Sequence, residues 1–251
     1  IQKSMPDDAG FVFGYERGEE QLLNQVSNRP LIRDRPEDRG GLLRLDDVFV
    51  KLETNRIQVR TPKTWVLKID EELPRDLTFP LFLRTSKSSW KRGCQQAKVN
   101  SLRELGDEAE LLRRSFGWDA PIIAREWLDI ATAGPWMFGD APQEIRTWIV
   151  DGEPAAWSFH YLHAVPEPNG FPPTTEDLQQ LHTMAKSVAI TFHYRFIAAV
   201  FVRDLRGEWH FLEAGPGAVA GTAHEDVFKY VAQRLIGKTP SLPDSAVGGT
   251  F

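Results

Sequence analysis

The sequence predicts an α+β protein of mainly antiparallel sheets with helices packed on one side. Strands come in hairpins: the Asp151-Gly152 turn joins Glu144–Val150 to Ala155–Tyr161, and Arg206-Gly207 joins Phe196–Val202 to Glu208–Ala214. Helical periodicity falls between the hairpins rather than between successive parallel strands, which argues against a doubly wound sheet.

The elements follow in order. Thr61-Pro62-Lys63-Thr64 introduces a short apolar strand, Trp65 to Leu67, and Phe79 to Arg84 reads as a buried strand before the polar loop Thr85 to Gly93. Ser101 and Glu104 form a capping box for a helix that puts Leu102, Leu105, Leu112 and Phe116 near one face and stops at Gly117. Pro121 to Ile130 is the next strand. Thr174 and Thr175 cap a helix to about Val188, and the last helix begins near Thr222 and turns Val227, Phe228, Val231 and Leu235 inward. Beyond Lys238, Pro240, Pro243 and glycines predict a loose tail.

Composition narrows the classes. A chain of 251 residues has room for a core, and its net charge of −5 does not select nucleic acid or anionic membrane as a partner. Cys94 is the only cysteine, so neither an intrachain disulfide nor a cysteine metal cluster can form. No apolar run approaches the roughly 20 residues that span a bilayer, and the start carries no signal-peptide pattern. A cytoplasmic protein without a membrane partner is expected.

Four segments could carry chemistry. Leu83 to Gly93 ends a buried strand in Arg84 and continues into a Ser-rich loop with Lys87 and Lys91. Fixed cations, hydroxyls and backbone N–H groups suit phosphates, and a solvated basic turn fits equally well. Ile122 to Asp129 runs an apolar strand into Glu126, Trp127 and Asp129; it reads as a base-binding edge with Asp129 near a sugar, or as a core strand. In Glu144 to Val150, period-two alternation sets Glu144 and Arg146 on one face, either as functional groups or as a surface ion pair worth roughly 0–1 kcal/mol. Glu213 closes an apolar strand before a glycine loop, a natural Mg²⁺ ligand beside phosphates. Gly215 to Gly221 is one residue too long for G-x-G-x-x-G and lacks a βαβ setting. His160 and His163 read as strand or loop polar residues.

Taken in order, these segments resemble ATP-grasp proteins from about Lys51 to Gly237. Lys51 with Thr61-Pro62-Lys63-Thr64 resembles the family's opening, Phe79 to Arg84 its phosphate strand, Arg125 to Leu128 its adenine hinge, Glu144-Ile145-Arg146 with Gly152 its paired strands, and Glu213 its metal carboxylate. The Arg84, Lys87 and Lys91 loop is most similar to the Arg-plus-two-Lys clade, some of whose members are proposed to be RNA-repair ligases. The Glu-x-Arg strand is also similar to that of assembly chaperones of the translation-initiation machinery.

The resemblance implies two lobes, 48–125 and 126–238, with ATP in the cleft between them. A short N-terminal segment (1–47) precedes them and a flexible tail (239–251) follows. It implies that Lys51, Arg84, Lys87, Lys91, Glu126, Trp127, Leu128, Asp129 and Glu144 bind the nucleotide. Glu213 and Glu144 hold Mg²⁺, and Arg146 and Lys91 act in catalysis. The implied activity is an ATP-dependent ligase working by phosphoryl or nucleotidyl transfer on a small carboxylate and amine, or on an RNA end. The alternative is an ATP-binding assembly chaperone or pseudoenzyme that grips a protein partner. The sequence departs from the family at two metal positions. Ala199 and Val200 stand where an Asp is usual, Gly215 stands where an Asn is usual, and Asp204 falls too near the hairpin turn to substitute. The metal then rests on Glu213 with Glu144, or with His224 and Glu225, or is lost.

Overall fold

A short stretch of alternating residues after Thr61 begins the smaller of two main sheets. The computed structural model describes residues 45–54, 59–68, 71–85, 98–118, 121–136, 139–159, 173–192, 194–217, 220, 225–235 and 248–251. Helix α1 (Leu45–Thr54) comes first. Strands β1 (Thr64–Leu67), β2 (Leu81–Thr85), β3 (Lys98–Val99) and β4 (Ile122–Glu126) form an antiparallel sheet in the order β1-β4-β2-β3. One face packs Trp65, Leu67, Leu81, Leu83, Ile122 and Ala124 against Leu105, Ala109 and Leu112 of helix α2 (Leu102–Phe116). The pleat sends Phe82, Arg84, Ile123 and Arg125 to the other face, where the register pairs Phe82 with Arg125 and Arg84 with Ile123.

Helix α2 is capped as the sequence suggests. The Ser101 hydroxyl accepts from the Glu104 N–H at 3.2 Å, and Gly117, at φ 106°, returns its N–H to Arg113 at 2.8 Å. The Glu104 carboxylate reaches one residue further than in a capping box, accepting from the Asn100 N–H at 2.8 Å. Leu102 is 62% exposed, and the apolar stripe begins at Leu105.

The larger sheet contains β7 (Glu144–Val150), β8 (Glu153–Phe159), β9 (Phe196–Arg203), β10 (Trp209–Pro216) and β11 (Gly248–Thr250), all antiparallel, in the order β10-β9-β7-β8-β11. Its hairpins turn where expected, with positive φ at Asp151 (51°), Gly152 (86°) and Gly207 (86°). The expectation of helices on one side is corrected here. Helices α1 and α3 (Thr175–Phe192) cover one face, burying Val48, Leu52, Leu181 and Val188 with Ile145, Phe201 and Phe211. Helix α4 (Glu225–Leu235) covers the other, burying Val227, Val231 and Leu235 with Trp148, Ala156 and Ala198. Ile197 to Val202 is apolar at every position, so both faces of β9 need cover. Although α1 precedes the first sheet in sequence, it therefore packs against the second.

Three further differences have physical causes. The expected strand Pro121 to Ile130 stops at Glu126, because Trp127 to Asp129 cross from one sheet to the other. A two-stranded ribbon, β5 (Thr132–Trp136) with β6 (Gly139–Pro142), occupies a stretch whose Gly and Pro conceal its pairing. The end of the tail is not loose: β11 pairs with Ser158 to Ala156, and Phe251 packs on the core and on His182. Glycines there bring the backbone to the open edge of β8, and the terminal ring anchors it.

Asp177 fastens α3 to this sheet. One carboxylate oxygen accepts from the Thr174 N–H and hydroxyl at 2.9 and 2.8 Å, and the other accepts from the Trp209 indole at 2.9 Å. Burial pushes its pKa up, but the bonds from Trp209 and Thr174, with the Arg203 charge, outweigh burial and hold it below the ordinary value. A depressed acid stabilises the fold above its unfolded pKa and loses that contribution as pH falls through the native value. Asp177→Asn should cost about 1.5–3 kcal/mol at neutral pH. Urea unfolding of parent and variant should show that gap narrowing below about pH 3.9; a gap independent of pH down to acid would remove the charge from the account.

Candidate functional site

Strand β10 changes face in its middle. Trp209 and Phe211 point into the core shared with α3, and simple alternation would send Glu213 after them. Instead Phe211 pairs with Phe201 and Glu213 with Val200, leaving Leu212 as a one-residue bulge. Ala214 then returns to the core of Phe211, only three positions on. Glu213 therefore faces the smaller sheet.

There it meets Arg84. The guanidinium Nη1 lies 2.6 Å from Glu213 Oε2, with side-chain exposures of 18% and 34%. This contact joins the open face of one sheet to the other and marks a cleft between them. Arg125 is buried beside the pair. Burial, then the Arg84 charge, lowers its pKa to about 9 against the opposing pull of Glu213, which leaves it charged at neutral pH.

The register extends the site across the larger sheet. Glu213, Val200, Arg146 and Ser158 form one row over β10, β9, β7 and β8. Arg146 is buried, with its guanidinium 5.8 Å from the Trp148 ring centre. Glu144, also buried, lies one row away opposite Val202. Strand spacing and rise put its backbone about 12 Å from that of Glu213, on the same face of the sheet. Val200 contributes no ligand between Glu213 and Arg146, and Gly215 sits opposite Ala198 in the next row. Asp204 is occupied at the hairpin, accepting from the Arg206 and Glu208 N–H groups at 2.9 and 2.8 Å and meeting His210 Nε2 at 3.0 Å.

The segment between the sheets lies at one end of the cleft. The Trp127 N–H donates to the Pro80 carbonyl at 3.0 Å, and the Leu205 N–H to that of Asp129 at 3.0 Å. The Trp127 indole donates to the Asp129 carboxylate at 3.1 Å. Glu126 and Asp129 are exposed, and Trp127 and Leu128 are half-buried. The Lys98 ammonium lies 4.7 Å over the Trp127 ring. The buried Val99 beside it turns position 98 to the opposite face of the sheet.

Lys51 is not brought to the cleft. Its ammonium lies 5.8 Å over Phe192, on the far side of the larger sheet, because Val48 and Leu52 seat α1 in the α3 core. Lys87, Lys91, His224 and the Glu225 side chain lie outside the described residues. Arg84 and Glu213 thus meet between the sheets, with Arg146 buried two strands further along the same row. With a single carboxylate in the row, that donor set fits Mg²⁺ when the oxygens of a bound anion complete the shell.

Comparison with known proteins follows the same lines. Residues 61–235 match the family model of an ATP-grasp domain, family 3 of the Arg-plus-two-Lys clade. No curated protein matches the chain. A solved D-alanine–D-alanine ligase from Bacillus anthracis complexed with ATP is similar at TM-score 0.55 and 16% identity, over 78% of this chain and 61% of that one. Another structure of the Bacillus anthracis ligase gives TM-score 0.57 at 14% identity, over 87% and 72%. An L-amino acid ligase from Bacillus licheniformis gives 0.55 at 14%, over 88% and 53%. At such identities the likeness is one of fold, and the chain spans 61% of the length of the first ligase.

The Arg84–Glu213 contact can be measured directly. A double-mutant cycle with Arg84→Met and Glu213→Gln, read by urea unfolding, should give a coupling of about 0.5–3 kcal/mol. Additive effects would mean that the pair does not form in solution.

Proposed function

We propose, from the premise that this chain belongs to the ATP-grasp family, that it is an ATP-dependent ligase joining a small carboxylate to an amine. The observation that carries this reading is the Arg84–Glu213 contact, which sets the guanidinium of one sheet against the carboxylate of the other. Arg84, with Lys87 and Lys91, holds phosphates. Glu126, Trp127, Leu128 and Asp129 hold the nucleoside, and Lys98 stacked on Trp127 supports them. Glu213 holds Mg²⁺, which when bound neutralises phosphate charge. Arg146, in the row of Glu213, orients the transferring group. The names of the similar structures, ligases of D-alanine and of L-amino acids, support the carboxylate and amine class. Most of the rate gain then comes from holding reactants together and stabilising charge.

A second reading has its own observation. Val200 beside Glu213 and Gly215 beyond it remove ligands that a strong metal site would use, which favours an ATP-binding protein that grips a partner without turnover. Single-turnover assays with ATP, Mg²⁺ and mixtures of amino acids, with nicked RNA as a separate arm, separate the readings. The ligase reading expects phosphate release with an amino acid, and the same assay should be silent for Glu213→Gln. An inert parent that binds ATP without help from metal would establish the second reading instead.

Nucleotide affinity provides a further check. Arg84→Ala should weaken ATP binding by about tenfold to a hundredfold, the loss of a charge-assisted bond of about 1.5–3 kcal/mol. Lys98→Ala should lose less, since an exposed cation–π contact contributes about 0.5–1 kcal/mol. Titration calorimetry that found equal losses would reassign the phosphate contact.

A further inference from the structure

The bulge in β10 requires a partner. In a regular strand, successive carbonyls point to opposite edges. Here Phe211 and Leu212 direct both of theirs to one guanidinium: Arg125 Nη1 donates to the Leu212 carbonyl at 2.8 Å, and Nη2 to the Phe211 carbonyl at 3.2 Å. Arg125 is itself held on three sides. Nε donates to the Thr64 hydroxyl at 3.3 Å, Nη2 also donates to the Thr61 hydroxyl at 3.0 Å, and the Phe49 ring lies 4.7 Å away. Thr61 donates in turn to the Phe211 carbonyl at 2.9 Å. These groups come from β1, β4, α1 and the strand entry at Thr61, and they converge on two adjacent carbonyls.

We infer that Arg125 is a positioning residue: by holding the Phe211 and Leu212 carbonyls together it keeps the bulge, and the bulge determines that Glu213 faces the cleft. Without it, regular pairing of β10 would put Leu212 opposite Val200 and Glu213 opposite Ala199, on the core face. The planar fork matters because one rigid group must span two acceptors and two hydroxyls. Arg125 acts through Glu213 and needs no contact with nucleotide. The inference rests on the proposed metal role of Glu213 for its functional consequence, but not for its structural one.

Two readouts keep these apart. Cross-strand NOEs should place Glu213 opposite Val200 in the parent, and that contact should vanish in Arg125→Met and partly return in Arg125→Lys. ATP titration in EDTA and in Mg²⁺ gives the second. The parent should gain affinity with Mg²⁺, and Glu213→Gln and Arg125→Met should both lose that gain. Arg125→Met should stay within about threefold of the parent in EDTA, because Arg84 is untouched and threefold is under 1 kcal/mol. A folded Arg125→Met that keeps the Glu213–Val200 contact overturns the inference. If that variant does not fold, Thr61→Val decides, since it removes one donor to Phe211 and one acceptor of Arg125. It should weaken the same NOE and reduce the Mg²⁺ gain severalfold, and an unchanged NOE overturns the inference. A parent that shows the Glu213–Val200 contact but binds no ATP overturns the proposed function and leaves this inference to the NOEs alone.

Discussion

The outer edge of β10 is the seam on which both sheets depend. An edge strand leaves N–H and C=O groups that must find partners once buried. Here the Phe211 N–H donates to the Arg60 carbonyl at 2.8 Å, and the neighbouring carbonyls take Thr61 and Arg125. The chain that leads into β1 thus completes the edge of a sheet formed much later in sequence. Because Arg125 belongs to β4, the same bonds tie the two sheets together. Trp127 to Asp129 add backbone bonds on the other side of the crossing. The two sheets are joined at the seam and at the crossing segment.

Charge explains why that seam is built around arginine. A buried cation is costly unless it is hydrogen-bonded, and the bonds that Arg125 donates to Thr64, Thr61, Phe211 and Leu212 offset its burial. Arg84 nearby works against it and Glu213 works for it. At an effective dielectric of 20, unit charges 4 Å apart interact by about 4 kcal/mol. Glu213 therefore serves both guanidiniums. Arg146 lies in the row of this carboxylate, with Glu144 one row away.

The parts legible in the sequence are those fixed by neighbours along the chain. Asp151-Gly152 and Arg206-Gly207 specify their hairpins by backbone conformation, and Ser101 and Gly117 bracket α2 by capping. Arg84 and Glu213 are readable as strand-end charges, and the structure brings them into contact. What escapes a sequence reading depends on distant partners. The bulge at Leu212 has no local mark, since Trp209, Phe211 and Glu213 read as ordinary alternation until Arg125 supplies its donors. Lys51 reads as nucleotide-binding by resemblance, yet Val48 and Leu52 carry it to the other side of the sheet. Helix α4 covers a face whose need for cover lies in β7, β8 and β9 together. Gly248 to Thr250 pair only because β8 offers an open edge.

Val200 stands at a position where the resemblance expects an acidic ligand. It is buried between Glu213 and Arg146 in the same row. A carboxylate at that position would stand beside Glu213, and two like charges that close raise one another's pKa unless a cation sits between them. Such a pair is stable with metal and strained without it. With valine there, Glu213 meets no such repulsion from β9, and Arg84 alone can balance its charge across the cleft. If Glu213 holds the proposed metal, it is the one carboxylate of its row, so phosphate oxygens would have to complete the shell.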